Sequence, residues 1–368
     1  MDLPETLGVE EAEAEEVLEH FTEATYRGRT YRYLSNARRG IERGTAIVDD
    51  AVVRGYPSIP RVLVLETGIP AYFDGPLAVT EKLNGFNVRI VNLEEPLAFT
   101  RGGYICPYTT DIARDLLGLE SFFDDFPEQM LCTEFIGPEN PYTAHEYPDV
   151  DSVAARVFDV RDRESGASMD VENRRELLTD YDLPQPELFG TYDPDDAVSA
   201  VRDVIEDLDE RGREGVVMQS VDGRDLLKYT TGHQHRSDLA FAFSLPFDYG
   251  RDFLFSRLIR EGFQAVEFDE DGEELRERAH GLGEALLEPM VETIRQAETD
   301  ATIGERHTVR APPGTVDALL SHLERQNVTV EIESDRRDDG LRVVEFVKVS
   351  STTRDKIDHF LAGGTIDE

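Results

Sequence analysis

Thr80-Glu81-Lys82-Leu83-Asn84-Gly85-Phe86-Asn87-Val88-Arg89 is the stretch on which the reading of this chain turns. Residues 76–81 and Asn87–Leu93 read as strands, and Leu83-Asn84-Gly85 is the turn that joins them. Lys82, at the edge of that turn, is one of only four lysines (Lys82, Lys228, Lys348, Lys356) against 34 arginines. Arginine supplies charge as readily as lysine, but its pKa is too high for it to release a lone pair. A lysine becomes a nucleophile once its ammonium loses a proton. A chain that has nearly eliminated lysine and keeps this one points to covalent chemistry at Lys82.

Working outward, residues 62–66, Pro96–Thr100, Met130–Ile136, Ala155–Val160, Gly215–Ser220 and Arg224–Thr230 read as strands. Helices are predicted at 9–21, 112–124, Glu172–Leu178 and Ala197–Leu208. This is a strand-rich α+β pattern, not a βαβ repeat. After about residue 236 the pattern turns helical. Residues 250–262 and 273–298 carry apolar side chains at helical spacing, and Pro289 should kink or split the second helix. If exposed, these helices would make a dimer interface. The last stretch spells a β-α-β-β-α unit: strand 306–310, helix 315–326, strand 328–333, strand 341–349, helix 351–362.

The net charge is −39, from 77 acidic and 38 basic residues. At roughly molar salt the Debye length shrinks to about 3 Å, so such self-repulsion largely disappears. With few lysines and no Trp, the composition reads as that of a salt-accumulating cytoplasm, a halophilic archaeon. The charge therefore reports the solvent and does not exclude nucleic acid. Cys106 and Cys132 form no metal-type spacing. Neither a secretory signal nor an apolar run near the ~18 residues of a membrane helix is found, so a cytoplasmic, non-membrane protein is expected.

Against this acidic background, residues 25–44 carry Arg27, Arg29, Arg32, Arg38, Arg39 and Arg43, interleaved with Tyr26, Tyr31 and Tyr33. Arginine grips phosphate by a bidentate fork, and tyrosine offers a stacking face for an unpaired base. RNA binding is one reading; pairing with the chain's own carboxylates is the other. His233 and His235 form an HxH with no evident third ligand, and read as a polar loop.

The order of the motifs adds to the lysine. Lys82-Leu83-Asn84-Gly85 is followed by Glu134 at the end of an apolar strand, then Phe158-Asp159-Val160, Glu214-Gly215-Val216-Val217, and Leu227-Lys228. This series resembles the covalent nucleotidyltransferase superfamily of ATP-dependent DNA and RNA ligases and mRNA capping enzymes. With Gly137-Pro138-Glu139-Asn140-Pro141-Tyr142 and the downstream helices, it looks most like the archaeal homodimeric ATP-dependent RNA ligase family. The resemblance covers residues 20–235 by motif and the remainder by layout. It implies an α+β fold in four parts: an N-terminal segment (1–65), a nucleotidyltransferase domain with antiparallel sheets (66–235), a helical dimerisation region (236–300) and a small C-terminal domain (301–368). DNA ligases and capping enzymes follow their last lysine motif with a five-stranded barrel; residues 236–300 look helical instead.

The resemblance also implies roles. Lys82 would attack the α-phosphorus of ATP, with Glu214 and Lys228 as its catalytic companions. Glu81 would lie near the adenine edge, Phe158 would stack on the purine, and Glu134 would hold the ribose. Arg89 and Arg101 would contact the nucleotide. Glu214, and Asn84 through water, would hold Mg²⁺ or Mn²⁺. The implied reaction seals an RNA 5′-phosphate to a 3′-hydroxyl through lysyl-AMP and an adenylylated RNA end. The alternatives are a relative acting on DNA ends or using GTP, and a dimeric RNA-binding protein with a vestigial nucleotide site. Two departures from the superfamily stand out: Leu226 where a lysine is common, and Thr133 before Glu134 where glycine is usual. There is also a problem of parity. A two-residue turn at Asp222-Gly223 would put Glu214 and Lys228 on opposite faces of their hairpin. An odd-length loop or a bulge near Gly215 is therefore expected.

Overall fold

The computed structural model describes residues 3–299 and 301–366. In chain order the elements are α1 (Leu3–Leu7), α2 (Glu11–Leu18), β1 (Phe21–Tyr26), β2 (Arg29–Leu34), β3 (Ala46–Val48), β4 (Ala51–Val53), α3 (Leu65–Tyr72), β5 (Leu77–Lys82), β6 (Phe86–Leu93), β7 (Glu95–Thr100), α4 (Pro107–Leu116) and α5 (Leu119–Asp125). There follow β8 (Gln129–Ile136), β9 (Ala154–Asp162), α6 (Val171–Asp180), β10 (Leu188–Tyr192), α7 (Pro194–Glu210), β11 (Gly215–Ser220) and β12 (Leu226–Thr230). The chain closes with α8 (Gly232–Ser244), α9 (Arg251–Glu267), α10 (Gly272–Glu298), β13 (Gly304–Ala311), α11 (Pro313–Arg325), β14 (Val330–Asp338), β15 (Leu341–Val349) and α12 (Ser351–Leu361).

Two four-stranded antiparallel sheets, ordered β10-β5-β11-β12 and β7-β6-β8-β9, form the centre. The turn after Lys82 carries the chain from the first sheet to the second. Close approach makes Gly85 necessary there: a Cβ would collide with the Phe135 carbonyl oxygen on β8. Gly137–Tyr142 supports this turn from behind. Asn140 donates to the Phe135 carbonyl at 2.7 Å, and the Tyr142 ring stacks on Phe86 with centroids 4.1 Å apart. Leu65, Ile69, Leu77, Val79, Val201, Val216 and Tyr229 pack α3 and α7 against the outer side of the β5 sheet.

The Arg/Tyr segment folds differently from the expectation of an RNA-stacking surface. It becomes the hairpin β1–β2, with Tyr26 opposite Arg29 and both turn residues, Arg27 and Gly28, at positive φ. Such a turn matches the right-handed twist of paired strands. Tyr26, Tyr31 and Tyr33 face inward and are buried, so they offer no stacking face to a base. Of Arg27, Arg29, Arg32, Arg38 and Arg39, the candidate RNA contacts, three are engaged within the chain: Arg27 with Asp111 at 3.1 Å, Arg29 with Asp49, and Arg39 with Glu16 at 2.9 Å. Arg38 is exposed and Arg32 half-buried.

Other departures concern elements. Residues 62–66 are not a strand: Arg61 makes one parallel bridge to Lys228, and helix α3 starts at Leu65. The predicted helix 112–124 is two helices, broken at Leu117-Gly118. The HxH lies in helix α8, not a loop. Pro289 does not split α10, which runs unbroken from Gly272 to Glu298. The C-terminal β-α-β-β-α unit forms as the sequence spells it, in a sheet ordered β13-β15-β14.

Candidate active site

Between the two central sheets lies a cleft of ≈ 430 Å³. Strand alternation lines one wall with Thr80 and Lys82 of β5, Val217 and Gln219 of β11, and Leu226 and Lys228 of β12. Asn87, Glu134, Phe158 and Arg101 line the other. The amine foreseen as nucleophile is not adrift in solvent. The Lys82 side chain is 21% exposed, and its Nζ sits 2.6 Å from Glu214 Oε1.

Neither device expected to reconcile Glu214 with Lys228 is present. The β11–β12 ladder is regular from Gly215↔Thr230 to Gln219↔Leu226, the register of a two-residue turn. Gly215 provides another solution. Glu214 precedes the strand, and Gly215 has φ +145, a backbone conformation that L side chains rarely adopt. A Cβ there would strike the Tyr229 carbonyl oxygen. The chain therefore enters β11 through a glycine-only conformation, and Glu214 still reaches Lys82 on the cleft face.

A bulge does occur, but in β9. Cys132 pairs with Asp159 and Thr133 with Val157, which leaves Phe158 without a partner. Its ring lines the cleft and meets Tyr56 edge-on, centroids 5.2 Å apart. The two departures from the superfamily pattern fit the packing. Thr133 donates its hydroxyl to the Val88 carbonyl at 2.9 Å on the far side of β8, and Leu226 adds apolar surface to the cleft beside Tyr56, Ile59 and Val217.

Burial governs the electrostatics. Desolvation, aided by Arg61 and Lys82 and opposed by Glu214, brings the Lys228 ammonium down to about 8. Burial pushes the Glu134 carboxyl up to about 7; Lys82 opposes the shift and Glu214 adds to it. Burial also lowers Arg101, against the pull of Glu134.

Three of the expected nucleotide-contacting side chains point away from the cleft. Arg89 is fully buried, two residues beyond Asn87 on the same face of β6, and its guanidinium donates to the carbonyls of Arg54, Gly44 and Thr100. The N-terminal segment covers this part of the face, so Arg89 is sealed off from the cleft and holds that segment to the central sheet. Asn84 does not line the cleft either. Its amide donates to Gln234 Oε1 of α8 at 2.9 Å, because the turn faces that helix. The Glu81 side chain alternates away from Lys82 towards Arg213, Nε to Oε1 3.6 Å, so only its main chain is left to edge the cleft. Sequence reasoning missed Tyr56 and Ile59. Their one signal was position: they follow the buried Arg54-Gly55 pair that meets Arg89 and Glu42.

Two family profiles match the chain, one described as RNA ligase over residues 75–230 and one as the Ligase Pab1020 C-terminal region over residues 241–364. An uncharacterised protein of Methanocaldococcus jannaschii is 39% identical over 339 residues, covering 88% of this chain and 86% of that protein. An archaeal ATP-dependent RNA ligase solved in two forms is 38% identical, covering 99% of this chain and 98% of that one, with TM-scores of 0.92 and 0.93. An Aquifex aeolicus protein provisionally described as an ATP-dependent DNA ligase is 28% identical over 97% of this chain and 100% of its own, with a TM-score of 0.90.

Proposed function

The chain belongs to the archaeal ATP-dependent RNA ligase family, and we propose that it seals RNA ends through AMP carried on Lys82. The contact that carries this reading is Lys82 Nζ on Glu214 inside a cleft that also holds Lys228, Glu134, Arg101 and Phe158. The Lys82 ammonium first gives up a proton, for which Glu214 is the adjacent acceptor. The free lone pair attacks the α-phosphorus of ATP. A P–N bond forms, the bond from that phosphorus to the α,β-bridging oxygen breaks, and its electron pair leaves with pyrophosphate. The nitrogen then sheds a second proton. Lys228 is suited to hold the α-phosphate oxygens as charge builds on them. Phe158 and Tyr56 form an aromatic platform for the purine, and Glu134 and Arg101 sit where ribose would reach. In the next two steps an RNA 5′-phosphate takes the AMP, and a 3′-hydroxyl displaces it.

The residues present fit a divalent cation such as Mg²⁺ or Mn²⁺. Among the described residues no group of three or more His, Cys, Asp or Glu gathers as a closed metal cage. The cleft instead offers the Glu214 and Glu134 carboxylates, and Asn84 is turned away. That donor set suits an ion that keeps most of its waters and borrows phosphate oxygens. When bound, it would offset phosphate charge.

A homodimer through the helical region is part of the same reading. Phe255, Ile259, Phe263 and Val266 form one exposed stripe along α9, which a second copy would cover. Sedimentation of Phe255→Arg should return a single-chain mass where the native protein returns twice that. No helix among the described residues is long and apolar enough to cross a membrane.

The test of function is intact-mass measurement after incubation with ATP and Mg²⁺. One added AMP should appear, map to the peptide holding Lys82, and be discharged by 5′-phosphorylated RNA. Transfer from GTP, or discharge only by DNA ends, would redirect the reading. No adduct at all would refute it.

A further inference from the structure

Two arginines beside the cleft have no carboxylate within ion-pair distance among the described residues. Arg61 bridges Lys228 in the main chain, and its guanidinium donates to Thr230 Oγ1, two residues further along the same face of β12. Arg260 comes from α9 and shares a narrow crevice with Arg61, Thr230 and His235. Both are partly exposed. Neighbouring arginines of the helical side are matched: Arg257 by Asp238 at 2.8 Å, Arg236 and Arg278 by Glu261. Two adjacent like charges left unmatched are costly unless an anion comes to them. Burial lowers Arg61, and burial with Arg61 beside it brings Arg260 down to about 10; both also feel Glu214 across the cleft.

The direction of the cleft says which anion. Phe158 marks the purine end, Lys82 and Lys228 mark the α-phosphate, and continuing along β12 past Lys228 leads to Thr230, Arg61 and then Arg260. We propose that Arg61 and Arg260 seat the β- and γ-phosphates of ATP and the pyrophosphate that departs, so that helix α9 completes the site for the first step. The crevice itself is too narrow for a phosphate (≈ 10 Å³), so the phosphates lie across its mouth. The pyrophosphate gains one negative charge as its bond to the α-phosphorus breaks, and the two guanidinium groups are placed to stabilise it.

This inference rests on the reading of Lys82 as the AMP carrier, and the test separates the two. Arg260→Ala, held to the native melting temperature as a check on folding, is assayed in three ways. Lysyl-AMP formation from labelled ATP should slow by about a hundredfold. Discharge of preformed lysyl-AMP should need a correspondingly higher concentration of inorganic pyrophosphate. Sealing of RNA that already carries 5′-AMP, which involves no pyrophosphate, should keep its rate. Arg260→Lys should recover part of the loss. Arg61→Lys, which retains a donor for Thr230, should show a smaller defect in the same step. Unchanged lysyl-AMP formation in both variants would overturn the proposal. So would an equal fall in sealing of the pre-adenylylated RNA, which would assign the arginines to RNA phosphate. Failure of the native protein to take AMP would strike the parent reading instead.

Discussion

Two groups of buried charge meet at Thr230 and helix α8, and they are built on opposite plans. In one, His235 Nδ1 meets Glu261 Oε1 at 2.9 Å, Arg278 meets the other Glu261 oxygen at 2.7 Å, and Arg278 also holds Glu270. Burial would push the Glu261 carboxyl up, but His235 and Arg278 outweigh it and hold it below the usual range. In the other, Lys228 and Arg101 line the cleft together with Glu134, Glu214 reaches Lys82 at its edge, and Arg61 and Arg260 lie in the adjoining crevice. The first group is closed and fixes three helices relative to one another. The second carries excess positive charge, which only an incoming anion completes. Burial alone therefore does not mark a functional site; unbalanced burial does.

The largest test of this contrast falls on the open group. Lys82→Arg keeps the charge and loses the nucleophile, so lysyl-AMP formation should fall by more than about a thousandfold while the melting temperature stays near native. An adduct persisting in that variant would move the chemistry elsewhere. Next comes the closed group. Glu261→Ala leaves His235 and Arg278 without their shared acceptor and should cost about 3 kcal/mol or more by denaturant unfolding. Glu214→Gln, which keeps the shape and a polar group beside Lys82, should cost clearly less than Glu261→Ala while adenylylation collapses. Equal destabilisation by the two would erase the distinction. The smallest effect is on pH. The Lys228 ammonium titrates at about 8, among Arg61, Lys82, Arg101 and Glu214. It is charged below that value and loses its charge as pH rises through it. The kcat/KM for adenylylation should therefore decline on the alkaline side, by roughly tenfold per pH unit at its steepest. Lys228→Arg does not titrate there, so it should remove Lys228's share of that decline, and an unaltered alkaline arm would count against Lys228 as the phosphate-binding cation.

Much of this was legible in the chain. The alternation around Lys82, the β5–β6 crossing and the entire C-terminal unit follow from period and turn chemistry, which act over a few residues. Phe158 and Glu134 were recognised through motif order, and both line the cleft. Other elements resisted. Val62-Leu63-Val64-Leu65 reads as a strand by composition, yet α7 and the β5 sheet bury it as the approach to a helix. The tyrosines of β1–β2 look like a nucleic-acid surface until their burial is seen.

The amino-acid sequence by itself singled out Lys82 as the candidate nucleophile, because lysine scarcity and motif spacing are properties of composition and order. It also determined that strands precede helices and that no barrel follows the last lysine motif. Only the tertiary structure decided which charged residues meet. Arg89, on the same face of β6 as Asn87, is claimed by the N-terminal segment; Asn84 is claimed by α8; Arg61, from an unpromising linker, is brought beside Lys228. Strand parity and inter-element contact are set by packing over distances that no local pattern encodes, and a single glycine with φ +145 was enough to overrule the alternation at Glu214.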